Sequence, residues 1–217
     1  MVRESQSAHR KCERPKPAVH DERTAQASLS SVDPCYAYGG PDAPLEDPSP
    51  LSFKITESLV ILEFLADLFP NCNLLPPVSN PTARARVRFF IDVVARNVKT
   101  PTLEVSDGIP GAYERLIEGL KKVQRLLPDP DAADAGEYAI GKDFTNADCA
   151  IAPMLATFEL SIRMGLEKFE GKKLGEALVG TKFDRLRRYR KALLERESVK
   201  KVIDLMSCLF AGDFGGY

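Results

Sequence analysis

The amino-acid sequence predicts a small α/β layer followed by an all-α domain. Two short segments with strand character lead into one helix, and strand, strand and helix in this order form the end of an α/β layer. After Pro76 and Pro77 the apolar pattern is helical, with about five helices. The sequence therefore divides into a poorly ordered segment, an α/β part and a helical domain, expected at residues 1–31, 32–76 and 77–217.

Both strands are short. The first comprises residues 34–38 and ends at Gly39-Gly40-Pro41, which are residues typical of a turn. The second, residues 52–55, alternates in character and leads directly into the helix. Because two strands alone do not make an independently stable sheet, we interpret them as part of a larger layer.

The helix over residues 55–70 has an unusually complete apolar surface. Between Leu59 and Phe69 only Glu63 and Asp67 are polar, and they form one narrow stripe because they are four residues apart. We therefore expect this helix to be covered on nearly all sides. Thr56 is expected to cap its first turn.

The helical domain is predicted from caps and apolar spacing. Asn80 and Pro81 are a cap and a first-turn proline. A buried stripe is expected to follow at Ala83, Val87, Phe90 and Val94. Further helices are predicted over about 111–127, from residue 145, over about 182–196 and over about 198–210.

The helix predicted from residue 145 begins with the sequence of a capping box. Thr145 and Asp148 are three residues apart. At this spacing the Thr145 hydroxyl can accept a hydrogen bond from the Asp148 N–H, and the Asp148 carboxylate can accept one from the Thr145 N–H. Pro153 lies inside the same helix and is expected to bend it. We interpret this box as a folding signal rather than a catalytic motif.

Composition limits the classes of function. The chain has 217 residues, a formal net charge of −1 and 44% hydrophobic residues, which gives it no general attraction to nucleic acid or to an anionic membrane. No apolar run is long enough to span a bilayer, and no secretory signal is visible. Five cysteines without paired spacing suggest reduced thiols. We expect a cytoplasmic protein without a metal site.

Two local motifs allow a structural and a functional interpretation. Glu57 and Ser58 begin a helix, where free backbone N–H groups can hold a carboxylate. The same residue types are common at helix starts for capping alone, and that interpretation is favoured when the motif is taken by itself. The basic run 185–191 is interpreted as a solvated helix face rather than a nucleic-acid site. His9 and His20 are assigned no role.

The order of these parts resembles the cytosolic glutathione transferase superfamily. The resemblance extends from about residue 33 to the C-terminus and is greatest to the fungal-specific class related to the omega and lambda types. The segments that carry it are Tyr36-Ala37-Tyr38-Gly39-Gly40-Pro41, Thr56-Glu57-Ser58-Leu59-Val60, Ala66-Asp67-Leu68-Phe69-Pro70, Ala85-Arg86-Val87-Arg88-Phe89-Phe90-Ile91-Asp92 and Phe144-Thr145-Asn146-Ala147-Asp148.

The resemblance implies a partial thioredoxin-like domain that binds glutathione and an all-helical domain that forms the pocket for a second substrate. It assigns Glu57 and Ser58 to the γ-glutamyl end of glutathione. Pro34 would be the family's cis-proline, and Asp33 before it would offer its backbone N–H and C=O to the cysteinyl part. Glutathione would be a co-substrate, with no other cofactor, and the second substrate would be small and apolar. A homodimer is possible in this family.

The family's catalytic unit is not recognisable in residues 1–31. In the family, a helix between two strands carries a catalytic serine or cysteine, whereas Cys12 in this segment does not match that pattern. The catalytic residue is therefore unknown, and the N-terminus is interpreted as atypical or truncated. The expected function is conjugation or thiol transfer of glutathione to a small electrophile. The alternatives are a non-catalytic binding protein of the ligandin type and a helical interaction module.

Overall fold

The computed structural model describes residues 35–39, 49–129, 132 and 136–213, with the backbone alone for Cys35 and for 208–213. The chain divides into two compact units at Cys72 and Asn73. The boundary that the sequence predicts, at residues 76 and 77, lies a few residues further along. The predicted segment 1–31 lies outside the described residues.

The first unit contains a two-stranded sheet and one helix. Strands β1 (Cys35–Tyr38) and β2 (Phe53–Thr56) pair antiparallel, with Cys35 opposite Thr56 and Tyr38 opposite Phe53. Helix α1 (Ser58–Leu68) follows, and a 3₁₀ turn (Pro70–Cys72) ends the unit. The rings of Tyr36 and Tyr38 contact the ring of Phe64, with centroids 5.9 and 5.3 Å apart. The predicted α/β part is thus confirmed as a small layer.

Two expectations about α1 are wrong. Thr56 is the last residue of β2 and does not cap the helix; the cap position is Glu57, whose side chain makes no capping hydrogen bond. The helix is also less covered than its apolar surface suggests, since Ala66 is its buried residue and Val60 is 53% exposed. The layer seen here does not enclose α1 on both sides.

The second unit is helical, as the sequence predicts. Its described part contains seven α-helices instead of about five, because two short helices were not predicted. The helices are α2 (Pro81–Val94), α3 (Thr100–Ser106), α4 (Ala112–Leu126), α5 (Asn146–Met164), α6 (Gly171–Val179), α7 (Asp184–Glu195) and α8 (Glu197–Asp213). A π-helical segment (Ala95–Lys99) joins α2 to α3, and 3₁₀ turns (Glu167–Phe169, Thr181–Phe183) flank α6. Among the described residues, no helix is both long enough and apolar enough to cross a bilayer.

Helix α5 lies at the centre of the helical unit. Its side chains Ile151, Leu155 and Phe158 are at most 1% exposed, and it contacts α2, α6, α7 and α8. The predicted stripe on α2 is confirmed at its last three positions, Val87, Phe90 and Val94. Helix α5 is continuous through Pro153, where Thr157 donates its hydroxyl to the Pro153 carbonyl oxygen at 3.0 Å.

The π-helical segment results from a proline and a glycine that lie far apart in the sequence. Pro101 has no N–H to donate to the carbonyl of Asn97, four residues before it. The backbone adjusts so that the Thr100 N–H donates to the Ala95 carbonyl, five residues back. The Asn97 carbonyl oxygen faces α4 at Gly119, where an added Cβ would lie 1.7 Å from it. Because Gly119 has no side chain, the π-helical segment can pack directly against the backbone of α4.

Candidate functional site

The junction of β2 and α1 has the features of an anion-binding helix start. Ser58 is the first residue of α1, and the side chains of Glu57 and Ser58 are both exposed. The first i to i−4 hydrogen bond runs from the Ile61 N–H to the Glu57 carbonyl at 2.9 Å. The preceding N–H groups, from Ser58 onward, have no acceptor within the helix. These groups, together with the helix dipole, favour a bound carboxylate.

Glu57 has a strained backbone. Its φ of 71° and ψ of 112° lie outside the regions that L-residues normally occupy. Residues held in such conformations cluster at binding and catalytic sites. The structure therefore brings Glu57 and Ser58 together at one exposed helix start, whereas Asp33 and Pro34 lie outside the described residues.

The capping box of α5 is confirmed, and it extends beyond the helix. Asp148 is fully buried. Its carboxylate accepts hydrogen bonds from the Thr145 N–H at 2.8 Å, the Ala139 N–H at 2.8 Å and the Tyr189 hydroxyl at 2.9 Å. Burial raises the pKa of Asp148 above its usual value, although these hydrogen bonds oppose the rise. The carboxylate joins the start of α5 to the preceding loop and to α7.

Sequence reasoning found only the local half of this network. Thr145 and Asp148 have a recognisable spacing, but Tyr189 is 41 residues from Asp148, and no local pattern connects them. Burial, followed by the negative charge of Asp148, raises the pKa of Tyr189 well above its usual value, so its hydroxyl remains a donor. The network is buried and its members bind one another, which indicates a structural role.

The described cysteines differ in state. Cys72 is disulfide-bonded, so the expectation of reduced thiols is wrong for this residue. Cys149 is a free, half-buried thiol in the first turns of α5. Burial and the nearby Asp148 charge raise its pKa to about 12, and Arg196 opposes that rise. Cys149 is therefore protonated at neutral pH and does not supply a nucleophilic thiolate.

We expect Cys149 to react slowly in the folded chain. At pH 8, iodoacetamide should modify it on the order of a hundredfold more slowly than in the guanidinium-unfolded chain, because the thiolate fraction is about a thousandfold smaller while each thiolate of higher pKa is a stronger nucleophile. The raised pKa also means that this thiol contributes stability that is fully present below its unfolded pKa and is lost as pH rises through about 12. Mass spectrometry of the peptide containing Cys149 measures the rate. Equal rates in the folded and unfolded chain would contradict the assignment.

Among the described residues, two clefts of about 430 Å³ each lie in the helical unit. Neither is the apolar pocket that the resemblance implies, since charged side chains line both. In the cleft between α5, α7 and α8, Glu159 accepts hydrogen bonds from Arg163 Nε at 2.6 Å and from Arg190. Burial alone would raise the pKa of Glu159, but the two arginines outweigh it and lower the pKa. These charges neutralise one another.

We find no candidate metal site in the part of the chain that the structure describes. It contains no cluster of three or more His, Cys, Asp or Glu side chains able to hold an ion.

Comparison with curated proteins gives matches over part of each chain, while no family model matches. A probable glutathione S-transferase of Coccidioides immitis is 35% identical over 133 residues, covering 56% of this chain and 55% of the relative. A probable maleylacetoacetate isomerase of Caenorhabditis elegans is 35% identical over 111 residues, covering 46% of this chain and 49% of the relative. The chain thus spans about half the length of the curated relatives it matches.

Comparison with solved structures covers more of the chain. Glutathione transferase Omega 1C of Trametes versicolor superposes with a TM-score of 0.72 at 38% identity, over 86% of this chain and 77% of that protein. Omega 2S of the same organism, in complex with 2,4-dihydroxybenzophenone, superposes with a TM-score of 0.71 at 33% identity, over 86% and 78%. Both the fold and the sequence identity support the same assignment. The chain belongs to the glutathione S-transferase superfamily, and its structural neighbours include omega-class members.

Proposed function

We propose that this chain binds glutathione through Glu57 and Ser58. It would then conjugate glutathione to small apolar electrophiles or catalyse thiol transfer from glutathione to them. The Ser58 hydroxyl and the free N–H groups of α1 would bind the γ-glutamyl carboxylate. The Glu57 carboxylate would pair with the ammonium group of the same glutamyl unit. Superfamily membership and the exposed helix start support this assignment.

The conformation of Glu57 is the observation that carries the proposal. Holding a residue other than glycine at a backbone φ of 71° and ψ of 112° costs about 1–3 kcal/mol of folding stability. Capping does not explain that cost, because the Glu57 side chain makes no capping hydrogen bond. Binding of a charged ligand at this turn gives the residue a function that glycine could not provide.

The remaining parts of the proposal come from the family resemblance. Residues 32–76 would be a partial thioredoxin-like domain. Within it, Pro34 would be a cis-proline, and Asp33 would offer backbone groups to the cysteinyl part of glutathione. We further propose a fungal-specific, omega-related class, a cytoplasmic location and a homodimer.

The proposed second substrate is an aromatic or similarly apolar molecule. Its support is the Trametes Omega 2S protein, which was solved in complex with 2,4-dihydroxybenzophenone. Several curated relatives are named maleylacetoacetate isomerases, so isomerisation of maleylacetoacetate is a second reaction to assay. Neither of the charged clefts described above is assigned to this substrate.

A non-catalytic binding protein is the second candidate. The observation that favours it is that the sequence of residues 1–31 contains no recognisable strand–helix–strand unit with the family's catalytic serine or cysteine. Such a protein would bind small molecules without turnover. A helical interaction module remains the third candidate.

Calorimetric titration of the full chain with glutathione tests the proposal. We expect binding that weakens about tenfold in Ser58→Ala and in Glu57→Gln, because each removes a charge-assisted contact. Ser79→Ala is the matched control, since Ser79 is an exposed serine of the helical unit. Conjugation of glutathione to 1-chloro-2,4-dinitrobenzene then separates an enzyme from a binding protein. Absence of binding at millimolar glutathione would refute the enzyme and leave the binding protein and the interaction module as candidates.

A further inference from the structure

We propose that the cleft between α5, α7 and α8 is a docking site for a protein partner, which supplies a short acidic segment with an aliphatic side chain at its centre. The cleft has a volume of about 430 Å³, within the range of roughly 300–1,000 Å³ that is typical of binding clefts. Neither Glu57 nor Ser58 lines it. The docking site is therefore independent of glutathione binding, which calorimetry tests separately.

Positive charge is concentrated at this cleft. Residues 182–201 carry nine basic and three acidic side chains, whereas the whole chain has a formal net charge of −1. The cleft itself is lined by five basic and three acidic side chains, which leaves two positive charges in excess. A local excess of one sign attracts a partner of the opposite sign. The basic residues that line the cleft are Arg163, Arg187, Arg190, Lys191 and Lys200.

Two lysines at the cleft are available to the carboxylates of a partner. Arg163 and Arg190 already share one carboxylate of α5 as their acceptor. Lys191 is 3.8 Å from Glu195, in an exposed pair of the kind that contributes at most about 1 kcal/mol. Within the part of the chain that the structure describes, Lys200 forms no ion pair. One lysine of α7 and one of α8 can therefore each bind a carboxylate from outside.

Each of these two helices also contributes an aliphatic side chain to the cleft. Leu194 follows Lys191 by three residues and Ile203 follows Lys200 by three, so each pair shares a helix face. Ile203 is 8% exposed and belongs to a core cluster of α5 and α8, against which Leu194 packs. The packing holds this apolar floor in place between the two lysines. An aliphatic side chain flanked by carboxylates is complementary to that arrangement.

The lining favours a peptide over other polyanions. Three carboxylates lie at the cleft and would repel a phosphodiester backbone, whereas a peptide can donate its backbone N–H groups to them. None of the described residues that line the cleft is aromatic, so a nucleic-acid base finds no ring on which to stack. A lipid surface is broad and cannot enter a cleft between helices.

Fluorescence anisotropy with a labelled synthetic heptapeptide, a leucine with three glutamates on each side, tests the site. At low salt we expect saturable binding to the full chain that weakens about tenfold in Lys191→Glu/Lys200→Glu. Lys172→Glu/Lys201→Glu is the matched control with the same change in net charge, since both lysines are exposed and neither lines the cleft. A peptide with serine in place of leucine should bind about tenfold more weakly than the leucine peptide.

A variant that should bind more tightly keeps the test independent of folding defects. Glu195→Gln/Asp204→Asn removes two exposed carboxylates from the cleft, so the leucine peptide should bind about three- to tenfold more tightly. Circular dichroism verifies that each variant is folded. The proposal is overturned if the cleft and control lysine variants bind the peptide equally, or if the serine peptide binds as tightly as the leucine peptide. It is also overturned if an RNA octamer or vesicles containing phosphatidylserine bind the parent chain more tightly than the peptide does.

Discussion

Asp148→Ala should lower the free energy of unfolding by about 3–5 kcal/mol, because it leaves several buried donors without an acceptor. The donors are the N–H groups of Ala139 and Thr145 and the hydroxyl of Tyr189, at 2.8, 2.8 and 2.9 Å from the carboxylate. Each stranded buried donor costs about 1–3 kcal/mol. Urea unfolding, followed by circular dichroism, measures the difference.

Two further variants make the result specific. Tyr189→Phe removes one donor and keeps the ring, so it should cost about 1–2 kcal/mol and remains measurable if Asp148→Ala does not fold. Asp143→Ala is the control, since Asp143 is exposed in the same loop, and it should change stability by less than about 0.5 kcal/mol. A loss below about 1 kcal/mol in Asp148→Ala would show that the network does not join these elements.

Gly119→Ala should destabilise the helical unit by about 2–3 kcal/mol through overpacking, although alanine is normally the better helix former. The added Cβ would lie 1.7 Å from the Asn97 carbonyl oxygen and 2.6 Å from its carbon. Both are backbone atoms, so the clash cannot be relieved by a change of rotamer. Separation of α4 from the π-helical segment would also weaken the contact of Lys122 Nζ with Asn97 Oδ1, at 2.7 Å. Thermal or urea unfolding measures the loss.

Gly175→Ala on α6 is the matched control for this substitution. There the added Cβ would meet the flexible side chain of Ile162, at 3.3 and 3.7 Å. The better helix propensity of alanine should then prevail, and stability should stay within about 0.5 kcal/mol of the parent chain or rise. If both variants behave alike, the close approach at Gly119 does not limit packing.

Local signals account for what the sequence predicts correctly. Asn80 accepts a hydrogen bond from the Ala83 N–H at 3.0 Å, and Pro81 lies in the first turn of α2, as their order predicts. The capping box of α5 is equally local. Helices α4, α7 and α8 follow apolar spacing, and their ends differ from the prediction by a few residues.

Features that depend on distant residues could not be predicted. The π-helical segment needs both Pro101 and Gly119, which no window of sequence contains together. Helix α6 is short and begins at Gly171, where an added Cβ would lie 2.2 Å from the Ser161 carbonyl oxygen. Its place is set by close approach to α5 rather than by propensity.

The candidate site is predictable as a pair of residues but not as a conformation. The sequence indicates Glu57 and Ser58 at a helix start. It does not indicate that Glu57 has a positive φ, because glycine is the residue that usually adopts that conformation. The role of this pair in glutathione binding stays a prediction, as do the roles of Asp33 and Pro34.

The strained turn at Glu57 also bears on how the chain would respond to laboratory evolution. Glycine at this position would relieve about 1–3 kcal/mol of backbone strain. Selection for heat resistance alone would therefore favour the loss of the carboxylate that we assign to glutathione. A screen that aims at a thermostable variant has to select for ligand binding in the same round, because stability and recognition conflict at this one residue.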